Sequence, residues 1–488
     1  IGLISSKFQF EGPIIKDRTS FNVSGRRSYL DLLAKPFMPK DDKFSYFFYD
    51  FNAKINHRFS DRSRLFLSLY NGRDQMDSEF KEESNSYIWE DKTKLNWGNL
   101  SSSLRWNYQI TPKLFSNTTL SYTQYRFKAN TATTDKAIQQ VMESNYGSEY
   151  NSGINDLAAN IDFDYHPSPA HQVKFGAGYL YHQFKPEVQS SRVYNKEDGT
   201  LVDTTFLSQG NSRLNAHEFA VYAEDNINLG ELLSVNVGAH VSAFQIQGKA
   251  YASLQPRLSA RFKANDDLSF KAAYTQMSQY IHLLSSYTIT MPTDLWVPAT
   301  KHIKPMHANQ YSVGAYYTGF RGWEFSAEAY YKGMTNVLEY KDGASFMGNS
   351  HNWEDKVEMG KGRSYGLELM LQKTVGNTTG WIAYTLAKSE RKFDKEGINN
   401  GEWFPYRYDR RHHVNLTLSH KFSDKIDVGA SWEFYTGGTT TIAEERTLII
   451  RPDYSLSDYN GYGHYYYYSD YSEAPYIEKR NIFRQPCL

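Results

Sequence analysis

The chain has 488 residues and balanced charge, 54 Lys+Arg against 54 Asp+Glu, so no global field draws it to nucleic acid or to an anionic surface. Aromatic residues make up 16%, yet mean hydropathy is negative and no run approaches the roughly 18 apolar residues of a spanning helix, which excludes a helical membrane protein. The single cysteine, Cys487, excludes an intrachain disulfide and any multi-cysteine metal site.

The chain starts at Ile1 without a charged leader and apolar run, so any signal peptide is expected to lie outside this sequence. From there onward the dominant pattern has period two, which predicts strands with two chemically different faces. Leu157, Ala159, Ile161, Phe163 and Tyr165 oppose Ala158, Asn160, Asp162, Asp164 and His166. Further along, Trp323, Phe325, Ala327, Ala329 and Tyr331 oppose Glu324, Ser326, Glu328, Tyr330 and Lys332. Tyr365, Leu367, Leu369 and Leu371 then oppose Gly366, Glu368, Met370 and Gln372, and the segments from Val414 and from Ile426 repeat the grammar.

Short polar turns punctuate these segments at 14–18, 60–62, 111–113, 167–170, 228–230, 265–267, 318–321, 375–378 and 423–425. They predict nine hairpins, hence eighteen strands of about ten residues each. Longer polar segments at 81–92, 186–210, 283–305, 341–360 and 392–409 are expected as loops at the opposite strand ends. The stretch YNGYGHYYYYSDYSEAPY, Tyr459 to Tyr476, belongs with those loops, because consecutive Tyr465–Tyr468 lack the alternation of a spanning strand.

Alternating short turns and long loops, with one oily and one wet face per strand, predict an all-β fold: a transmembrane antiparallel up-and-down β-barrel. A bilayer cannot satisfy backbone N–H and C=O groups, so a sheet spans it only when closed on itself. A soluble propeller or β-helix would bury both faces, whereas here one face of nearly every strand stays polar. The whole of 1–488 is read as one barrel region. By parity both chain ends fall on the long-loop side, although both termini of such barrels belong on the periplasmic side. The parent is therefore expected to have twenty or more strands, beyond the 16 to 18 of aqueous porins.

Five stretches carry a resemblance to TonB-dependent outer-membrane receptors, particularly those of Bacteroidetes type. They are GLISSKFQFEGPIIKDRTSFNVSGRRSYLD from Gly2, LQPRLSARF from Leu254, LWVPATKHIKPMHANQYSVG from Leu295, GRSYGLELMLQK from Gly362 and FPYRYDRRHHVNLTLSH from Phe404. The resemblance implies a 22-stranded barrel in a Gram-negative outer membrane, with a plug domain, importing a scarce nutrient with energy from TonB, ExbB and ExbD. On that plan this chain supplies strands two to nineteen. The plug and its TonB box lie outside it, and membrane lipid and a surface lipoprotein are further partners. The nutrient classes left open are an iron chelate, a peptide or a glycan. The alternative is a structural or assembly barrel, or a passive porin, without energised transport.

No catalytic group, cofactor or metal site is expected. Glu324 and Glu328 share a strand face about 13 Å apart, too far for a glycosidase pair. With Glu368 they are expected to line the lumen. Adjacent His412 and His413 point to opposite faces and cannot readily share a metal, which leaves Asp409 and an arginine to fix the strand's outer rim. No nucleophile elbow, P-loop or dinucleotide fingerprint is present. Ligand contact is assigned to aromatics of the long loops: Trp296, Trp353, Trp403, Tyr462, Tyr465 and Tyr467, whose faces stack on flat apolar surfaces.

Overall fold

Segments with alternating apolar and polar residues, bounded by Gly, Pro, Asn, Asp and Ser, form antiparallel hairpins because only that pairing gives each face one kind of neighbour. The computed structural model describes residues 2–38, 43–137, 142–197, 200–209, 213–284, 295–341, 353–394, 398–441, 445–449, 472–476, 480 and 483–484. These fall into two units: 1–285 with 293–313 and 346–355, and 286–292 with 314–345 and 356–488.

The first unit begins with the hairpins β1 (Ser5–Ile15) and β2 (Thr19–Ser28), β3 (Lys43–Ser60) and β4 (Ser63–Glu83), β5 (Tyr87–Thr111) and β6 (Leu114–Ala137), β7 (Met142–Ser168) and β8 (His171–Glu197). After a further strand, β9 (Thr200–Gln209), come β10 (Leu214–Leu229), β11 (Leu233–Ile246), β12 (Lys249–Lys263) and β13 (Leu268–Gln279). The upper part of β8 pairs with β9 and its lower part with β10. Gln247 and Gly248, with φ of 51° and 77°, make the two-residue turn from β11 to β12, where positive φ matches the strand twist. A small hairpin follows, β14 (Ile281–Leu284) with β15 (Leu295–Pro298), and then β16 (Met306–Tyr317).

The second unit holds β17 (Trp323–Tyr340), β18 (Val357–Lys373), β19 (Thr378–Lys392), the two-residue β20 (Phe404–Pro405), β21 (His412–Ser423) and β22 (Ile426–Tyr435). Short pairs end it: β23 (Thr439–Thr440) with β26 (Phe483–Arg484), and β24 (Glu445–Ile449) with β25 (Ser472–Tyr476). Each of the nine short turns read from the sequence joins consecutive long strands, which gives the expected eighteen. Helix is confined to short pieces such as α1 (Leu30–Ala34), and among the described residues none is long and apolar enough to cross a membrane.

Strand length and several loops differ from expectation. Strands reach 27 residues in β7 and β8, and the segment 81–92 is mostly strand, with only Ser84–Ser86 between β4 and β5. The physical reason is that a strand wet on both faces reads as a loop by polarity alone. The cross-strand charge pair Lys92–Glu79 at 3.9 Å favours pairing there, as Lys43–Glu79 at 3.0 Å and Lys128–Glu149 at 3.1 Å do at the same ends of neighbouring hairpins. Within 186–210, residues 189–197 of β8 pair with 200–209 of β9.

One face of the sheet exposes large apolar side chains on successive strands: Leu67 and Leu69, Leu104 and Trp106, Leu120, Leu157, Phe219 and Val221, Val237 and Val241, Leu254 and Leu258. In the second unit Phe325, Leu367, Leu371, Ile382, Leu418, Val428 and Trp432 continue the pattern. The opposite face carries a packed cluster in the first unit, where Phe184, Ala216, Phe244, Ile246, Tyr280 and Ala299 are all buried. Phe244 stacks on Tyr280 with ring centroids 4.8 Å apart. Phe244→Ala is expected to cost about 3–5 kcal/mol through the cavity it leaves, read as a lower midpoint of heat or denaturant unfolding; an unchanged midpoint would show that this cluster is not a folding contact.

Candidate functional site

In the first unit Tyr280, Ala299 and Thr300, from either end of the connection between β13 and β16, pack on the polar face of the sheet. Tyr280 hydrogen-bonds Ser242 at 2.7 Å, and the Tyr251 hydroxyl donates to the Thr300 carbonyl at 2.6 Å. Leu295 and Val297 of β15 are buried, and Trp296 between them is half-buried on the other face of that strand. Beneath this cover His182, with no exposed side-chain surface, lies 2.8 Å from Asp156 through Nδ1 and 3.4 Å from Glu218 through Nε2. An imidazole between two carboxylates clamps β7, β8 and β10 together, since the three residues come from those three strands.

The second unit gathers its charges at the strand ends opposite the short turns. The Arg363 guanidinium lies over the Trp403 ring, 4.2 Å from its centroid, and bonds Glu390 at 2.8 Å. Glu390 also takes Lys388 at 2.6 Å. Arg391 stacks on Tyr406 at 3.7 Å while it bonds Glu339 at 2.6 Å. Burial pushes the Tyr406 hydroxyl above its ordinary pKa, against the lowering effect of Arg391. Buried Asp409 accepts from the Ser389 amide at 2.6 Å and pairs with Arg484 at 2.5 Å, with Arg411 at 3.6 Å.

Sequence reasoning named Asp409 and an arginine as a rim fixture. The structure supplies that arginine chiefly as Arg484, 75 residues on. His412 meets the Tyr384 hydroxyl at 2.9 Å and His413 meets Glu433 at 2.8 Å, so the two imidazoles serve separate partners.

Glu324, Glu328 and Glu368 stand on the face of β17 and β18 opposite exposed Phe325 and Leu367. Glu328 faces Glu368 directly across the strands and accepts a hydrogen bond from the Tyr316 hydroxyl at 2.6 Å. Glu328 thus takes a tyrosine hydroxyl from the neighbouring strand as its donor. Of the loop aromatics, Trp296 and Trp353 lie in one unit and Trp403 in the other. Trp353 is only 4% exposed, at the start of a single 3-10 turn, Trp353–Lys356. Tyr462, Tyr465 and Tyr467 lie outside the described residues. Sequence reading missed the His182 clamp, because its partners sit on other strands and only register joins them. Among the described residues no group of three or more His, Cys, Asp or Glu is arranged to hold a metal ion.

With this geometry in hand, the relatives can be placed. Residues 19–472 match the family described as TonB dependent receptor-like, beta-barrel, and the chain belongs to that family. Among solved structures, the outer membrane transporter YddB from Escherichia coli superposes with a TM-score of 0.63 at 11% identity, covering 93% of this chain and 65% of that one. The ferric yersiniabactin uptake receptor FyuA from Yersinia pestis gives 0.53 at 12% identity, over 88% of this chain and 66% of that one. The RagAB peptide transporter gives 0.56 at 8% identity, over 90% and 62%. The chain therefore spans a little under two thirds of the length of these structures, and at such identities the likeness is one of fold. No curated protein sequence matches it.

The charge cluster around Asp409 makes a direct test. Asp409→Ala strands Arg484 and the Ser389 amide without their acceptor and is expected to cost about 3–5 kcal/mol, as for other broken buried pairs. Limited proteolysis is expected to cut within 398–441 faster than in wild type, with the long hairpins still protected. Asp409→Asn, which retains an acceptor for the Ser389 amide, is expected to show a smaller change.

Proposed function

We propose that this chain forms the membrane-spanning barrel region of an outer-membrane receptor, of Bacteroidetes type, that imports a scarce nutrient with energy supplied through TonB, ExbB and ExbD. The observation that carries the reading is the family match over 19–472 together with the exposed apolar face that repeats from strand to strand. A barrel wall needs an oily face toward lipid and a wet face toward its interior, and hairpins with short turns on one side are the economical way to build it.

The substrate classes are an iron chelate, a peptide or a glycan. Two of the structural relatives, a ferric yersiniabactin receptor and a peptide transporter, support the first two. The aromatics assigned to ligand contact are Trp296, Trp353, Trp403, Tyr462, Tyr465 and Tyr467, with Glu324, Glu328 and Glu368 lining the interior. The half-buried Trp296 and the Arg363-stacked Trp403 support stacking chemistry at the long-loop ends. Trp353, packed as it stands, would contribute only after its segment moves. The energising complex acts through a plug and TonB box of the parent protein, and a surface lipoprotein is a further partner.

The test is uptake in the producing bacterium, with labelled ferric chelates, peptides and oligosaccharides offered separately. Uptake of one class is expected to fall to background when the gene is deleted, and equally when the proton-motive force is dissipated, with surface levels of the protein unchanged. Uptake that persists without the proton-motive force and is graded only by solute size would overturn the reading in favour of a passive pore.

A further inference from the structure

Among the described residues, β14 and β15 pair with each other and with no other strand. No backbone ladder ties this hairpin to the wall, although β15 packs against β7 and β8. Leu284, Leu295 and Val297 are buried, while Trp296 lies half-buried on the other face of β15. The hairpin is held by packing and by a few hydrogen bonds at its base. There the Ala299 amide donates to the Tyr280 carbonyl at 2.7 Å, and the Tyr251 hydroxyl bonds the Thr300 carbonyl.

A path of touching rings leads from that base to the His182 clamp. The His182 ring centroid lies 5.4 Å from that of Phe184 and 6.1 Å from that of Phe244. Phe244 in turn stacks on Tyr280 with only 3° between the ring planes. Tyr280 immediately precedes β14, and its partner Ser242 accepts from Gln255 at 2.8 Å. Closely packed side chains pass a displacement on, because there is no empty volume to absorb it.

The clamp at the far end of the path has two chemical states. A charged imidazole donates from both nitrogens, to Asp156 at 2.8 Å and to Glu218 at 3.4 Å. A neutral one has a single N–H, so one carboxylate then faces a lone pair across a ring that has no exposed surface. Asp156 and Glu218 are 22% and 26% exposed, so the carboxylate that loses its donor can turn to water. Nothing else at this height replaces the donor: Thr123, opposite Asp156 in β6, and Ala216, opposite His182 in β10, are uncharged. Glu218 also acts electrostatically on His240 of β11 and on Tyr280, and Arg257 of β12 acts on His240. His282, buried in β14, is the hairpin's own titratable group.

We propose that the charge on His182 fastens the β14–β15 hairpin to the wall, and that loss of its proton loosens the hairpin and exposes Trp296. The clamp is complete while the imidazole carries both protons, so the hairpin is fastened on the acid side of the histidine range and loosened as the pH rises through it. Far below that range, protonation of Asp156 or Glu218 removes the acceptors and loosens it again. The inference does not depend on the import reading, because clamp, hairpin and Trp296 lie in one unit of the fold. Under that reading it makes ligand access to Trp296 pH-dependent.

The test incorporates 5-fluorotryptophan into the protein in nanodiscs, assigns the Trp296 resonance with Trp296→Phe, and measures its relaxation by a water-soluble gadolinium chelate. Readings run from about pH 5.5 to about pH 9, either side of an ordinary imidazole's titration. The population with Trp296 exposed is expected to rise about tenfold over that range, the weight of one hydrogen bond to a charged group. His182→Gln, which has no titrating proton, is expected to give a flat profile. A flat profile in wild type would overturn the inference without reference to any variant. A profile that persists in His182→Gln would overturn it in favour of His240 or His282. An unfolding midpoint that moves with pH while Trp296 exposure stays constant would also overturn it, leaving His182 a structural clamp alone. Failure of the uptake test with a normal titration here would defeat the import reading and leave this inference standing.

Discussion

Everything chemical in this protein depends on antiparallel register. A strand changes face with every residue, so a slip by one position would carry Leu67, Leu104 and Leu120 to the polar face and bring Asn, Ser and Arg side chains to the oily one. The short turns hold that register, and the cross-strand pairs lock it: Lys43 with Glu79, Trp106 Nε1 with the Ser63 hydroxyl, and the His182 clamp over three strands. Backbone hydrogen bonding supplies the ladder, and the side chains determine which face meets which solvent.

Two kinds of wall follow from that single constraint. Along the middle of the strands, one face is apolar and the other carries Glu328, Glu368 and hydroxyls. Toward the strand ends opposite the short turns, the assignment changes. Leu95, Phe127 and Tyr150 pack on the formerly polar face in one region, Phe184 and Phe244 do so in another, and the β14–β15 hairpin covers the latter. Buried ion pairs such as Asp409 with Arg484 then fix the irregular connections, where no hairpin register is available to do so. The chain belongs to the TonB dependent receptor-like β-barrel family, and under the proposed function one of these walls would face lipid and the other the interior.

The hairpin plan was legible from sequence because turn residues and period-two alternation are local. The turns at 60–62, 111–113 and 423–425 each needed only a few residues to be seen, and each joins two strands as read. The segment 81–92 was not legible, because its polar composition carries no alternation, and only its register against the neighbouring strand, with Lys92 3.9 Å from Glu79 of β4, shows that it pairs. Nor was the Arg363–Trp403 stack, whose members lie 40 positions apart and meet through a loop geometry no pattern encodes. Asp409 was singled out from its neighbours, but its main partner, Arg484, could be found only in three dimensions.

The central claim is that the apolar face, and only that face, is solvated by lipid. It is tested most directly by single spin labels placed at each position from Leu254 to Phe262 in protein reconstituted into vesicles, with accessibility measured to oxygen and to a water-soluble nickel chelate. The account predicts a period of two, with Leu254, Leu258 and Phe262 open to oxygen and shielded from nickel, and the exposed Arg257, Ser259 and Arg261 of the other face the reverse. Equal nickel accessibility along the whole strand would contradict it.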